Sequence, residues 1–268
     1  MLLGLAAVAA VLALSSRGTS VNFLFSRDLT RVQMEFVNFV AKFGRVYGSS
    51  EEFNERFEVF QSNLAFIEAT NAKDLEYKLA VNQFADMTYE EFASIYLKTK
   101  KNTDRSGHEV LPVGTHGHSK DWRAVHAVTS VKDQGSCGSC WAFSATGVIE
   151  SAHFIKAGQK AGDLVDLSEQ QLVDCISTKD SHGCDGGLMT DAFDYVKLNG
   201  QTSTAEYRYT GRDGKCKKFT PTTSVSASFH VTPGNNDAMM SAIDFEPIAV
   251  AVAAGVEFMF YGSGVLSC

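Results

Sequence analysis

Between Lys98 and Lys120 the sequence KTKKNTDRSGHEVLPVGTHGHSK carries no apolar period, and this break decides what the chain can fold into. It excludes one uninterrupted core and predicts two folding pieces joined by an exposed polar strap, the kind of segment where proteolytic cutting concentrates. Upstream, the stretch from Asp28 to Phe43 repeats apolar residues at Val32, Phe36, Phe39, Val40 and Phe43, the spacing of one helix face. Ser49 followed by Glu52 predicts a capping box, after which Phe53, Phe57, Phe60, Leu64 and Ile67 continue a second stripe. Two such aromatic stripes are expected to cover each other.

Downstream, Cys140 opens a predicted helix whose apolar positions Trp141, Ala145, Val148, Ile149, Ala152 and Ile155 share a face. Ser168 with Gln171 predicts a second capping box, stapled by Leu167 and Leu172. A third helix runs through Met189, Ala192, Phe193 and Val196 to Asn199-Gly200, a favourable C-cap pair. After Lys218 the runs TTSVSASFHV and EPIAVAVAAGV read as strands, with Pro233-Gly234 and a helical patch from Asp237 to Ile243 between them. The fold class is therefore α+β, a helical lobe followed by the beginning of a β lobe. The apolar run Ile248 to Val256 is expected to be a strand without a partner, an edge that invites aggregation.

Residues Leu2 to Leu14 are apolar and uncharged, with Ala13 and Ser15 suited to a cleavage point, so they read as a signal peptide although no Lys or Arg precedes them. As a helix the run would rise about 20 Å, short of a bilayer's hydrocarbon core, and no stable membrane association is expected. A secretory route gives the six cysteines an oxidising compartment. The formal charge of −7, spread without a basic run, argues against a nucleic-acid partner.

The stretch QGSCGSCWAFS, Gln134 to Ser144, places Cys140 at a helix start, where unpaired N–H groups favour the thiolate that chemistry requires. Gln134 offers a side-chain amide, and Cys140 its own N–H, to a developing oxyanion. Cys137 and Cys140 also form a C-x-x-C pair, a redox or zinc signature elsewhere, but neither a βαβ setting nor a second ligand pair accompanies it. No cofactor and no metal are expected.

Together with DWR at Asp121 to Arg123, VTSVKDQG, LSEQQLVDC and HGCDGGLM, this stretch resembles the papain-like cysteine peptidases, in particular cathepsin L-like members. The resemblance implies a papain-like two-lobe fold, its helical lobe complete and its β-barrel lobe incomplete, preceded by a helical propeptide domain. It implies Cys140 as nucleophile, Gln134 in the oxyanion hole, and disulfides Cys137 to Cys184 and Cys175 to Cys216. Gly186 and Gly187 would hold substrate backbone, and Leu188, Met189 and Ala251 would line the pocket for the second residue before the cut, with a preference for bulky apolar side chains.

The resemblance reaches the N-terminal piece through Glu52, Arg56, Phe60, Asn63, Ile67 and Asn71, spaced 4, 4, 3, 4 and 4 and so on one helical stripe, with Glu52 and Arg56 placed for an i,i+4 ion pair. AVNQFAD supplies Asn82, Phe84 and Asp86, with Ala80 where the family usually has Gly. The implied division is a signal peptide over 1–15, an inhibitory propeptide over 16–97, a cleavable linker over 98–115 and a peptidase domain over 116–268. Peptide or protein substrates, the chain's own propeptide as intramolecular inhibitor, and a lysosomal, vacuolar or extracellular destination follow. Asp86 and the Glu52–Arg56 pair would be ties that acid breaks.

A thiol peptidase needs an imidazole and a group to orient it. Of the seven histidines, His108, His116 and His118 lie in the strap, His126 precedes the nucleophile, and His153 stands thirteen residues along the Cys140 helix, about 20 Å away. His182 lies in the expected disulfide loop and His230 in a predicted strand. In the family the catalytic His and Asn follow the counterpart of Cys268, so the 268 residues by themselves are expected to be inert. The alternative is a non-catalytic homologue whose residues 28–97 inhibit other cysteine peptidases.

Overall fold

Phe36 is fully buried, and its ring lies against those of Phe39, Tyr47, Phe53, Phe57 and Phe60 at centroid distances of 5.2 to 6.2 Å. Burying one such ring stabilises by about 1.5–3 kcal/mol, and this cluster joins the first two helices of the computed structural model. The structure describes residues 29–99, 108–117, 119–160 and 162–267. The expected signal peptide, His118 and Cys268 lie outside the described residues. The chain divides into two compact units, one of residues up to Phe92 together with Ala254 onward, the other of Ala93–Ala253.

In the first unit, α1 (Arg31–Phe43) starts at Thr30 with a reciprocal capping box to Gln33 and stops at Gly44, whose φ of 60° favours glycine. Helix α2 (Ser50–Asn71) is capped by Ser49, which accepts from Glu52 N at 3.1 Å. The reciprocal half of the expected box goes elsewhere, since Glu52 Oε2 accepts from Gly48 N at 2.6 Å. Nor does Glu52 pair with Arg56, whose guanidinium donates to Glu91 Oε2 at 2.7 Å and to Asp86 O at 3.1 Å. A carboxylate held by a backbone N–H at its own helix start is unavailable one turn later, so a partner from beyond the helix takes its place.

The other polar members of the stripe also grip distant backbone. Asn63 Nδ2 donates to Ala85 O and Met87 O at 3.0 and 2.9 Å. Asn71 both donates to Leu79 O and accepts from Leu79 N, each at 2.8 Å, which fixes β1 (Tyr77–Leu79). Phe60 and Ile67 fill the core between them. Asp86, buried, accepts from Arg45 and from Tyr47 at 3.1 and 3.0 Å. Asn82 Nδ2 donates to Met259 O at 2.8 Å, and the Phe84 ring packs on Phe92 of α3 (Tyr89–Tyr96).

Strand β1 pairs antiparallel with β4 (Tyr261–Gly264), with an irregularity between Lys78 and Leu79. Ala80 N donates to Phe260 O at 2.8 Å, and a methyl on Gly262 would come within 2.9 Å of the Ala80 methyl. The chain's last described residues thus belong to the first unit, which sequence pattern did not predict.

The second unit is built around α4 (Cys140–Lys156), with α5 (Glu169–Cys175) and α6 (Met189–Asn199) against it. Trp141, Ala145, Ile149, Leu167, Leu172, Ala192 and Val196 form the core. Ser168 caps α5 through Gln171 N at 3.0 Å, but the Gln171 amide turns away to Gly200 O and Thr202 N, so this box too is half made. Of the predicted α4 stripe, Val148, Ala152 and Ile155 are only half-buried, while Thr146, Glu150, Ser151 and Phe154 are buried.

The strap is more ordered than its polarity predicts. Strand β2 (Glu109–Val110) pairs in parallel with β3 (Phe229–His230), and Leu111 N donates to His230 O at 2.8 Å. Backbone ladders need no apolar period, which is why composition could not reveal this one. Helix α7 (Asn236–Phe245) follows, capped by Asn235.

The expected strand from Ile248 to Val256 is absent. Residues 247–255 have no regular structure, Val250 and Val252 are exposed, and Val256 instead opens the single turn α8 (Val256–Met259). A strand exists only where a neighbour takes its hydrogen bonds, and the described residues offer this run none. No helix of the described residues is long and apolar enough to cross a membrane.

Candidate active site

Cys140 is the first residue of α4 and, among the described cysteines, the one left as a thiol. Cys137 is bonded to Cys184 with S–S 2.01 Å, and Cys175 to Cys216 with 2.02 Å. Cys137 is therefore not half of a dithiol with Cys140, and a C-x-x-C redox centre is ruled out. Among the described residues no group of three or more His, Cys, Asp or Glu is placed to hold a metal ion.

The approach to Cys140 is a tight loop. Asp133 Oδ1 accepts from Gly135 N at 2.9 Å, Gly135 adopts φ 59°, and the Gln134 amide donates to Cys137 O at 2.8 Å. Gly138 N donates to Cys184 O at 3.0 Å, so the disulfide loop and the nucleophile's approach are tied twice. Ser139, the N-cap residue, is fully buried and makes no capping bond with its side chain. Its hydroxyl lies 2.7 Å from Tyr209 OH, which also donates to Gln134 O at 2.7 Å.

Behind the loop, Lys132 Nζ donates to Glu150 Oε1, Asp166 Oδ1 and Glu169 Oε1 at 2.8, 2.7 and 2.7 Å. Burial opposes the ammonium, yet the hydrogen bonds to Asp166, Glu150 and Glu169 outweigh it and raise the Lys132 pKa. Burial raises the Glu169 carboxyl despite Lys132. This cluster anchors the segment two residues before Gln134 to both α4 and α5. A cavity of about 540 Å³ opens beside it, lined among others by His126, Phe143, Glu169 and Tyr209, with neither Cys140 nor Gln134 in its wall.

The thiol itself is covered. Thr99 Oγ1 lies 2.8 Å from Cys140 Sγ, and Sγ is 3.6 Å from Tyr96 O. A methyl on Gly186, which has φ 100°, would sit 2.0 Å from Lys98 O, and one on Gly138 would strike the Lys98 side chain at 2.4 Å. Residues 96–99 therefore run across the surface that both glycines leave open. Gly187 is bare for a different reason, since a methyl there would meet the Trp141 ring at 2.7 Å.

Leu188 is buried, and Met189 packs partly buried against the core. Ala251 is exposed in the irregular 247–255 stretch. Three of the imidazoles are engaged elsewhere: His108 Nδ1 lies 2.8 Å from Ser228 Oγ, His153 Nδ1 lies 2.9 Å from Thr223 Oγ1, and His182 Nε2 lies 3.3 Å from Lys179 O. Sequence reasoning missed Thr99, Lys98, Lys132 and Tyr209. Only Lys132 carried a signal, as a cation two residues before Gln134.

Residues 116–268 match the papain family cysteine protease profile, and residues 36–92 match that of the cathepsin propeptide inhibitor domain. The chain belongs to the papain family. It is 42% identical over 244 residues to the thiol protease aleurain-like of Arabidopsis thaliana, covering 89% of this chain and 67% of that protein. Among solved structures, digestive procathepsin L2 from Tenebrio molitor larval midgut superposes with a TM-score of 0.78 at 33% identity, covering 88% of this chain and 80% of that one. A recombinant stem bromelain precursor gives 0.77 at 36% identity, with coverages of 88% and 77%. The chain spans about two thirds of the length of such curated papain-family relatives.

Proposed function

We propose that this papain-family chain is the precursor of a cysteine endopeptidase in which Cys140 attacks the substrate carbonyl. The observation that carries the proposal is the thiol at the first residue of α4, left free by the Cys137–Cys184 bond and covered by residues 96–99. In the reaction the sulfur adds to the peptide carbonyl carbon, and the amide of Gln134 with the Cys140 N–H receives the oxyanion. Collapse then expels the amine, which needs a proton from an imidazole.

Among the described residues no imidazole hydrogen-bonds Cys140, and turnover by these 268 residues alone is expected to be nil. Gly186 holds the substrate backbone where Lys98 now lies, while Leu188, Met189 and Ala251 favour a bulky apolar residue two before the cut. Residues 16–97 act as the inhibitor and 98–115 as the segment cut on release, in a lysosome, a vacuole or outside the cell.

The test has two parts. Iodoacetamide should label Cys140 alone among the cysteines, faster once residues 96–99 are displaced by acid. A fluorogenic peptide with Leu or Phe at the second position before the cut should not be turned over until free imidazole is added at high concentration. Labelling elsewhere, or turnover abolished by no change at Cys140, would sink the proposal.

A second reading rests on the first unit's own aromatic core and its match to the propeptide inhibitor profile. On that reading the chain inhibits other cysteine peptidases. Strong inhibition of papain by an intact Cys140→Ala chain would favour it.

A further inference from the structure

Tyr209 stands outside every motif by which the site was read, yet its hydroxyl touches both halves of it. It donates to Gln134 O at 2.7 Å and lies 2.7 Å from Ser139 Oγ, the residue before Cys140. The direction of these bonds is forced. A carbonyl oxygen only accepts, so the single phenolic proton goes to Gln134, and the Ser139 hydroxyl must donate to the phenol oxygen. The other acceptor near Ser139, Cys137 O, is 3.5 Å away, too long to compete.

The chain of bonds has a cost at the helix start. A serine at an N-cap ordinarily turns its oxygen to a backbone N–H in the first turn. Ser139 does not, and its φ of −99° and ψ of 14° lie outside the extended conformation that capping uses. Its hydroxyl is held by Tyr209 instead. The phenol ring is fixed in turn, edge-on to Phe143 of α4 with centroids 5.0 Å apart, and its burial raises its pKa. Gly211 approaches the same place, where a methyl would lie 3.7 Å from the ring and 3.8 Å from Gln134 O.

We propose that Tyr209 is a positioning residue for the oxyanion site: one hydroxyl sets the distance between the Gln134 loop and Ser139, the residue before the nucleophile. The proposal rests on the reading of Cys140 as nucleophile and Gln134 as oxyanion donor. Within this short stretch the Gln134 side chain is tied to Cys137 O, while the phenol links the Gln134 backbone to the Ser139 hydroxyl. Without the phenol oxygen the loop keeps its fold but loses the tie that places the amide against an oxyanion above Sγ.

Two electrophiles separate this role from a merely structural one. A peptidyl aldehyde reacts when the thiolate adds to its carbonyl, forming a C–S bond and an oxyanion that takes a proton from water, so its affinity depends on the oxyanion donors. Iodoacetamide forms a C–S bond with loss of iodide and needs no such donor. Both reagents must pass residues 96–99, so comparing each variant with the unmodified chain cancels access. In Tyr209→Phe of the full chain, aldehyde affinity is expected to fall about tenfold, the fold-change of one net hydrogen bond, while the alkylation rate changes less than twofold. Ser139→Ala, which leaves the Tyr209–Gln134 bond, should lose about twofold to threefold of aldehyde affinity.

Equal losses for both reagents would mean that Tyr209 only supports the fold, and no loss for either would mean that its hydroxyl is dispensable. Each result overturns the proposal. Gln134→Ala reports on the underlying reading instead: if it leaves aldehyde affinity intact, Gln134 is not the donor, whatever Tyr209 does.

Discussion

The two units hold themselves together by different means. The first has an aromatic-rich centre and polar ties reaching from α2 to the backbone between Leu79 and Met87, with no disulfide among its described residues. The second has two disulfides and a cluster of one lysine with three carboxylates, two of them buried. The difference teaches that acid acts with opposite sign on the paired carboxylates of the first unit and on buried Glu169 of the second. Its hydrogen bond from Arg56 is the main cause that holds the Glu91 carboxyl below its ordinary value, and Arg31 does the same for Glu68. Their stabilising contribution is present above the unfolded carboxylate value and lost as pH falls through the lowered one. Glu169 is raised by burial, so ionising it costs stability, and that cost is relieved as pH falls into the raised range.

Four experiments would break or sharpen this contrast. The largest effect belongs to Phe36→Ala, which leaves a hole among five rings and should cost the first unit about 3–5 kcal/mol, seen as loss of hydrogen-exchange protection over residues 29–92. Both tryptophans, Trp122 and Trp141, lie in the second unit, so an unchanged urea midpoint by tryptophan fluorescence would show that the units melt separately. Next, replacing Cys175 and Cys216 together by Ser opens a loop with a sequence separation of 41 and should lower the second unit by about 3–4 kcal/mol in the same assay.

Asn71→Ala strands both polar groups of Leu79 and should cost about 1–3 kcal/mol, read as faster exchange across β1. The smallest effect is the most telling. Glu91→Gln should cost the first unit less than about 1 kcal/mol at pH 7, because the pair is partly exposed, yet it should flatten that unit's loss of protection between pH 7 and 4. If the unmodified chain's first unit held as firmly at pH 4 as at pH 7, or the second loosened first, the proposed division of labour would be wrong.

Elements defined by apolar period were legible. Phe36, Phe39, Phe53 and Phe60 are buried as their spacing predicts, and Ser49 and Ser168 do cap helices. What spacing could not convey was the partner of a polar side chain. Glu52 was paired with Arg56 because they are one turn apart, but Arg56 reaches Glu91, 35 residues on. Glu150, Gln170, Gln171 and Gln201 are polar yet buried, and each is hydrogen-bonded to groups distant in sequence. The helix of Cys140 was readable from QGSCGSCWAFS, whereas Thr99 and Tyr209 were not, since a lone hydroxyl in a polar segment has no period to betray it. An apolar run promised a strand from Ile248 to Val256, but pairing is a property of two segments, and one segment's composition is silent about the other.

The crossing of Ala80 with Gly262 shows how such silence is resolved in space. At that crossing there is room for a single methyl, and the chain carries it on the earlier of the two segments. Gly262→Ala alone should pry the seam apart, and adding Ala80→Gly should relieve only part of the strain, because Lys78 O would still lie 3.1 Å from the new methyl. A residue that looks like a departure from its motif thus fills the space facing a bare glycine 182 positions away.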